Sequence, residues 1–279
     1  MGWLGAALTQ AWHRRSGRVG ASILLLLGAA AVLLPPFLPS PIVQPDVLHP
    51  LLAPGAGHWL GTDALSRDVL ARLVSGARIS LAVAGLSVLL SVTLGVLVGL
   101  AAGVAGGLVD TLLMRTVDAA LCIPRLFILL LLLGRGVPLS LPLFIGVLGA
   151  TGWYGTSRLV RAEVLRLRES DFVSAARGLG AGRGRVIFRH LLPSAIGPVL
   201  VAATLGVGYV VLLEASLSYL GLGIQPPTPT LGGMIYEARE ALVQAPWASL
   251  FPGGAIVLAV LAANLFGDAL RDAVEPRDA

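Results

Sequence analysis

The chain has 279 residues, 56% hydrophobic and 13% charged, and its mean hydropathy is +0.86. Soluble domains carry about 25% charged residues, so a single water-soluble core under this much apolar surface is excluded and lipid must be the solvent for much of the chain. The net charge is +5, but the arginines sit beside long apolar runs, which points to membrane topology and away from nucleic acid.

A bilayer-crossing helix takes roughly 20 apolar residues. The charge-free gaps place spans at about 19–39, 79–104, 108–134, 138–157, 196–222 and 248–269. The expected fold is all-α, a polytopic membrane protein of about six transmembrane helices. The first run follows Arg14, Arg15 and Arg18. Pro35, Pro36, Pro39 and Pro41 stand where a signal peptide would have small residues, so it reads as a span.

Residues 40–78 form the first outer loop. Within it Val69, Leu70, Leu73, Val74 and Ala77 recur at helical spacing, which predicts an amphipathic helix at the outer interface. Asp63 is placed to cap that helix. Asp63, Arg67 and Asp68 are also candidates to meet an extracytoplasmic partner.

Residues 79–272 form a core of five spans containing a cytoplasmic loop at 158–195, between tails at 1–18 and 273–279. Two ionisable residues fall inside the spans, Arg125 and Glu214. Intramembrane charge is costly and faces a cavity or a partner. Glu214 either lines a pathway or makes a structural hydrogen bond within the chain. Arg125 follows Pro124 and either faces the pathway or, the reading favoured by the proline, satisfies carbonyls freed at the break. Cys122 is a lone apolar packing residue.

Loop 158–195 carries Arg158, Arg161, Arg166, Arg168, Arg177, Arg183, Arg185 and Arg189. With the arginines of the N-terminal tail, it belongs on the cytoplasmic side, and both termini are expected inside. Within it, Phe172, Ala175, Ala176 and Leu179 share one helical face, and Gly180 ends the helix. A narrow face of one aromatic and two alanines suits a groove on another protein.

The segment from Asp171 to Pro193 resembles the EAA loop of bacterial ABC-importer permeases. Ala175, Ala176, Gly180, Leu192 and Pro193 match that pattern at its spacing; Ser174 replaces its Glu and His190 its Ile. His58 to Asp68 resembles the outer-loop motif of the dipeptide, oligopeptide and nickel permeases, with Ser66 where Gly is usual. Gly106 to Asp110 with Met114 and Arg115, Leu217 to Pro227, Ala245 to Trp247, and Gly267 to Asp272 with Pro276 and Arg277 fit the same group, and the chain resembles its shorter, second permease.

The resemblance implies a type I ABC-importer permease fold in a bacterial or archaeal plasma membrane. It implies half of a translocation pathway for dipeptides or oligopeptides, with nickel as the alternative cargo and a secondary transporter as the alternative class. Implied partners are a second homologous permease in a heterodimer, two cytoplasmic ATP-binding subunits, an extracytoplasmic binding protein and membrane lipid; no nucleic acid is expected. The ATPase-coupling residues would be Phe172, Ser174, Ala175, Ala176, Leu179, Gly180, His190, Leu192 and Pro193. Binding-protein contacts would come from Gly61, Thr62, Asp63, Arg67, Asp68, Gln225 and Pro226, and the path from Glu214 and Arg125.

An ATP site on this chain is not expected. A P-loop needs Lys, and all 20 basic residues are Arg. ATP and Mg would sit on partner subunits, and the chain itself is expected to bind no cofactor and to be no enzyme. The four histidines, His13, His49, His58 and His190, lie far apart in sequence and suggest no metal site.

Overall fold

The computed structural model describes residues 2–40, 50–134 and 140–274. His49, the first residues of the expected fourth span and the last five residues of the C-terminal tail lie outside the described residues. In chain order the helices are α1 (Gly2–His13), α2 (Arg15–Leu33), α3 (Val69–Ala105), α4 (Gly107–Leu121), α5 (Arg125–Leu133), α6 (Leu141–Ala150), α7 (Tyr154–Arg168), α8 (Asp171–Gly178), α9 (Arg183–Val186), α10 (Leu192–Tyr219), α11 (Leu231–Ala238) and α12 (Trp247–Val274). No β-strand occurs among the described residues.

Among the described residues, four helical runs are long and apolar enough to cross a bilayer: α2, α3, the run from Arg183 to Tyr219, and α12. The expected third span is a pair: α4 and α5 meet at a bend of 80°. Pro124 explains the bend, since it lacks an N–H and disfavours helix in the residue before it. The pair counts as a fifth span only if both halves are taken together.

The expected fourth span is divided. α6 has 10 residues, about 15 Å of helix, half the thickness of the hydrocarbon. It ends at Thr151, whose N–H still bonds the Val147 carbonyl at 3.2 Å, and Gly152 and Trp153 separate it from α7. Among the described residues, four runs, or five with the bent pair, meet the length and hydropathy of a span where about six are expected.

The outer amphipathic helix and the second span are likewise one element. α3 runs unbroken through 37 residues, because nothing between Ala77 and Ser80 breaks a helix. Its cap is Asp68, which accepts from the Ala71 N–H at 2.8 Å, and not Asp63 as expected.

Small residues set the packing. Gly95, Gly99 and Gly103 lie four apart on α3 and face α7. A Cβ on Gly99 would sit 2.6 Å from the Ser157 carbonyl oxygen and 2.7 Å from Val160 Cβ. Such spacing lets helix backbones approach closely in lipid. Gly20 plays the same part between α2 and α12, where an added Cβ would meet the Ala262 oxygen at 2.6 Å.

The bundle has two distinct ends. At one, Ala11 packs with Val201, Ala269 and Leu270, and Arg14 donates to Asp272 at 2.5 Å. Val173 and Leu191 pack at the same end with Val160, Val164 and Leu167, against the last turns of α3. At the other end residues 61–72 meet α11 and the start of α12, where Trp247 Nε1 donates to the Thr62 carbonyl at 3.1 Å. The N-terminal helix, α8 and the C-terminal turn therefore share one end.

Replacing Gly99 by leucine is expected to overpack the α3–α7 contact and lower stability by about 1–3 kcal/mol. A thermal melt in detergent tests this; an unchanged midpoint would contradict the close approach.

Candidate functional site

α8 is short and rigidly terminated. Gly180 takes φ +85, and its N–H bonds the Arg177 carbonyl at 2.9 Å while the Ala181 N–H bonds the Ala176 carbonyl at 3.0 Å. This pair of bonds is the Schellman stop, which uses glycine because it alone enters the left-handed region cheaply. Val173 is fully buried and seats the helix on α7 and α10.

The opposite face is open. Phe172 is 46% exposed and Leu179 90% exposed. Ser174 and Ala175 are exposed and Ala176 half-buried. Leu179 caps the helix and is not part of its regular turns. His190 stacks obliquely on Phe172, their ring centres 6.2 Å apart. Leu192 and Pro193 lie inside the continuous helical run from Arg183 to Tyr219, directly after a π-helical turn at Ile187–Leu191. The structure thus brings Phe172 and His190 together and leaves an apolar surface uncovered.

Both charges inside the spans find hydrogen-bond partners within the chain. Glu214 is fully buried and accepts from Ser80 Oγ at 2.9 Å and Ser218 Oγ at 2.7 Å. The same Ser80 oxygen accepts from the Leu231 N–H at 3.1 Å, at the start of α11. Glu214 therefore ties α3, α10 and α11 together in this conformation. Arg125 donates to the Leu148 carbonyl at 2.5 Å and to Thr151 Oγ1 at 3.3 Å. It satisfies the C-terminal carbonyls of α6, not those of its own broken helix, and its guanidinium lies 5.6 Å from the ring centre of Tyr209.

At the other end lies a cluster that sequence reasoning found only in part. Asp63 pairs with Arg67 at 2.7 Å and with Arg72, and Glu237 pairs with Arg72 at 2.8 Å and with Arg67. Arg72 and Glu237 carried no signal in the sequence, because their partners lie far away in the chain or on the neighbouring turn. The cluster joins the segment before α3 to α11. Gly61, Thr62, Asp63, Arg67 and Asp68 are all buried; Asp63 is taken up by Arg67 and Arg72, and Asp68 by His58 Nδ1 at 2.9 Å. Gln225 and Pro226 are exposed, as are Trp59 and Leu65. Ser66 adopts φ 58, a left-handed conformation suited to glycine.

Residues 95–277 match the family model described as the binding-protein-dependent transport system inner membrane component. The chain belongs to this family.

The match covers α8, Gly180 and Pro193 but begins within α3, after the outer loop. Relatives extend further. A Brucella suis protein, provisionally named a peptide permease, is 44% identical over 270 residues, 95% of this chain and 88% of its own length. A second Brucella suis protein, provisionally named a peptide transport system permease, is 40% identical over 267 residues, covering 95% of this chain and 89% of its own. The dipeptide transport system permease of Alkalihalophilus pseudofirmus is 38% identical over 260 residues, with 93% and 85% covered.

In this permease the Glu237 carboxyl is held below the usual carboxylate range. Burial alone would raise it, but the bonds and charges of Arg72 and Arg67 prevail. A lowered folded value contributes stability above the unfolded value, about 4.3, and loses it as pH falls through the folded value. The melting midpoint should therefore drop on acidification below about pH 4.3. A Glu237→Gln variant should melt lower at neutral pH and show a flatter acid limb; parallel limbs would contradict the assignment.

Proposed function

We propose that this chain is one of two membrane-spanning subunits of an ATP-driven importer of peptides, and that α8 is the element a cytoplasmic ATPase grips. The exposed Phe172 and Leu179 on a rigidly seated, rigidly stopped helix carry this reading. A face of that kind fits helix-in-groove recognition, and Val173 passes its displacement to α7 and α10. The ATPase-contacting set is Phe172, Ser174, Ala175, Ala176, Leu179 and Gly180, with His190, Leu192 and Pro193 supporting it from behind.

ATP and Mg are held by two partner ATPase subunits. ATP shifts the transporter between states by as much as α8 binds the two ATPase states unequally. A second, homologous permease completes the pathway, and an extracytoplasmic binding protein delivers the cargo. Positive charge places the α8 end in the cytoplasm with both termini. The opposite end then faces outward, where Gln225, Pro226, Trp59 and Leu65 form the exposed surface for the binding protein, on a platform held by Asp63, Arg67, Arg72 and Glu237.

Peptide cargo follows the names of the relatives, and nothing favours nickel. A secondary transporter would need no ATPase, so co-purification separates the classes.

An Ala176→Asp variant should weaken ATPase retention by at least about tenfold, the equivalent of about 1.4 kcal/mol, and abolish uptake, while the permease still folds. A pull-down of the ATPase on tagged permease reads this. Full retention with full uptake would contradict docking at α8.

A further inference from the structure

A groove of about 960 Å³ opens beside α8 at the arginine-rich end of the bundle. One wall is a stripe of α3, Leu97, Leu100, Ala101 and Val104, which follow the i, i+3, i+4, i+7 pattern of a single helix face. Phe188 and Leu191 line it from the other side. Leu97 is 60% and Phe188 71% exposed, so each wall presents an open apolar side chain.

Cations gather at one end only. Arg168, Arg177 and Arg183 line the mouth, and no carboxylate is among the lining residues. Arg168 lies against the last turn of α3, donating to the Gly103 carbonyl at 3.4 Å. Arg177 and Arg183 form no ion pair within the described chain. Arg177 follows the buried Val173 by four residues, so it points to the groove side of α8 and away from the open face of Phe172.

The order of these groups is that of an amphiphile. Apolar wall extends about 10 Å along α3 toward the middle of the bundle, and positive charge stands beyond the helix end. An acidic protein segment would need the charge but not the apolar depth. A soluble phosphate would need neither wall. Basic pockets at the cytoplasmic end of membrane helices suit anionic headgroups, and the groove lies where such a headgroup meets the acyl region.

We propose that this groove holds one anionic phospholipid, an acyl chain along Leu97 to Val104 and its phosphate over Arg177 and Arg183. Bound there, the lipid would brace α8 against α3 and couple leaflet composition to the position of the docking helix. The proposal requires only that this end of the permease lie at a bilayer surface; it does not rest on ATPase docking.

The test is native mass spectrometry of the assembled transporter extracted from vesicles of phosphatidylglycerol and phosphatidylcholine. The wild type should retain a phosphatidylglycerol adduct. Arg177→Ala with Arg183→Ala should lower it about tenfold or more, since each arginine near an anionic surface is worth about fivefold. Ala101→Trp, which fills the apolar depth and keeps both arginines, should lower it as well. An adduct undiminished in the double arginine variant overturns the proposal, whatever the tryptophan variant does. Displacement of the adduct by inorganic phosphate alone assigns the cations to a soluble anion and overturns it too. Loss of the ATPase with full lipid retention in the arginine variant assigns the arginines to a protein partner, with the same consequence.

Discussion

Hydrocarbon supplies no hydrogen bonds, so every helix that stops or bends inside this bundle must find partners for its backbone within the protein. Two helix ends show how. The C-terminal carbonyls of α6 are met by Arg125 and Thr151, and the Gly149 carbonyl by Ser91 Oγ at 2.9 Å. The first N–H of α11 is met by Ser80, which in turn donates to Glu214. Polar groups that look like candidates for a conduction path are, in this conformation, the means by which short helices exist at depth.

This constraint also divides the molecule mechanically. α3 is the axis: its glycines admit α7 closely, its first turn enters the Asp63–Arg67–Arg72–Glu237 cluster, and its last turns pack under α8 and α10. A push on α8 is received by Val173 and its neighbours, which are buried and close-packed, and such interiors transmit displacement well. The outer cluster neutralises two arginines with two carboxylates, so it holds the loop to α11 without leaving a net buried charge. Buried pairs of this kind specify geometry more than they add stability.

Much of the architecture was legible from charge spacing alone, because a long uncharged stretch in a membrane protein has few alternatives to helix. What it could not show was where helices break. The α4–α5 bend was signalled by Pro124, yet a proline inside a span does not announce an 80° turn. The division at Thr151 depends on Arg125 and on Ser91, which reach it from other helices. The α8 segment was legible because its features are local: a four-residue spacing of small and aromatic side chains and a glycine stop. The outer cluster was not, because Glu237 lies 165 residues from Arg72. Asp63 and Arg67 drew notice by their charge, and only the fold reveals that they face inward.

The most direct measurement is the reactivity of one cysteine. With Cys122 changed to serine and Leu179 to cysteine, a membrane-impermeant maleimide is applied to sealed vesicles of each orientation, with and without the ATPase subunits. If α8 lies on the inner face and is gripped there, the thiol reacts only in inside-out vesicles stripped of ATPase, and restoring the ATPase protects it. Labelling from the outer face, or labelling unaffected by a bound ATPase, would contradict both the orientation and the docking.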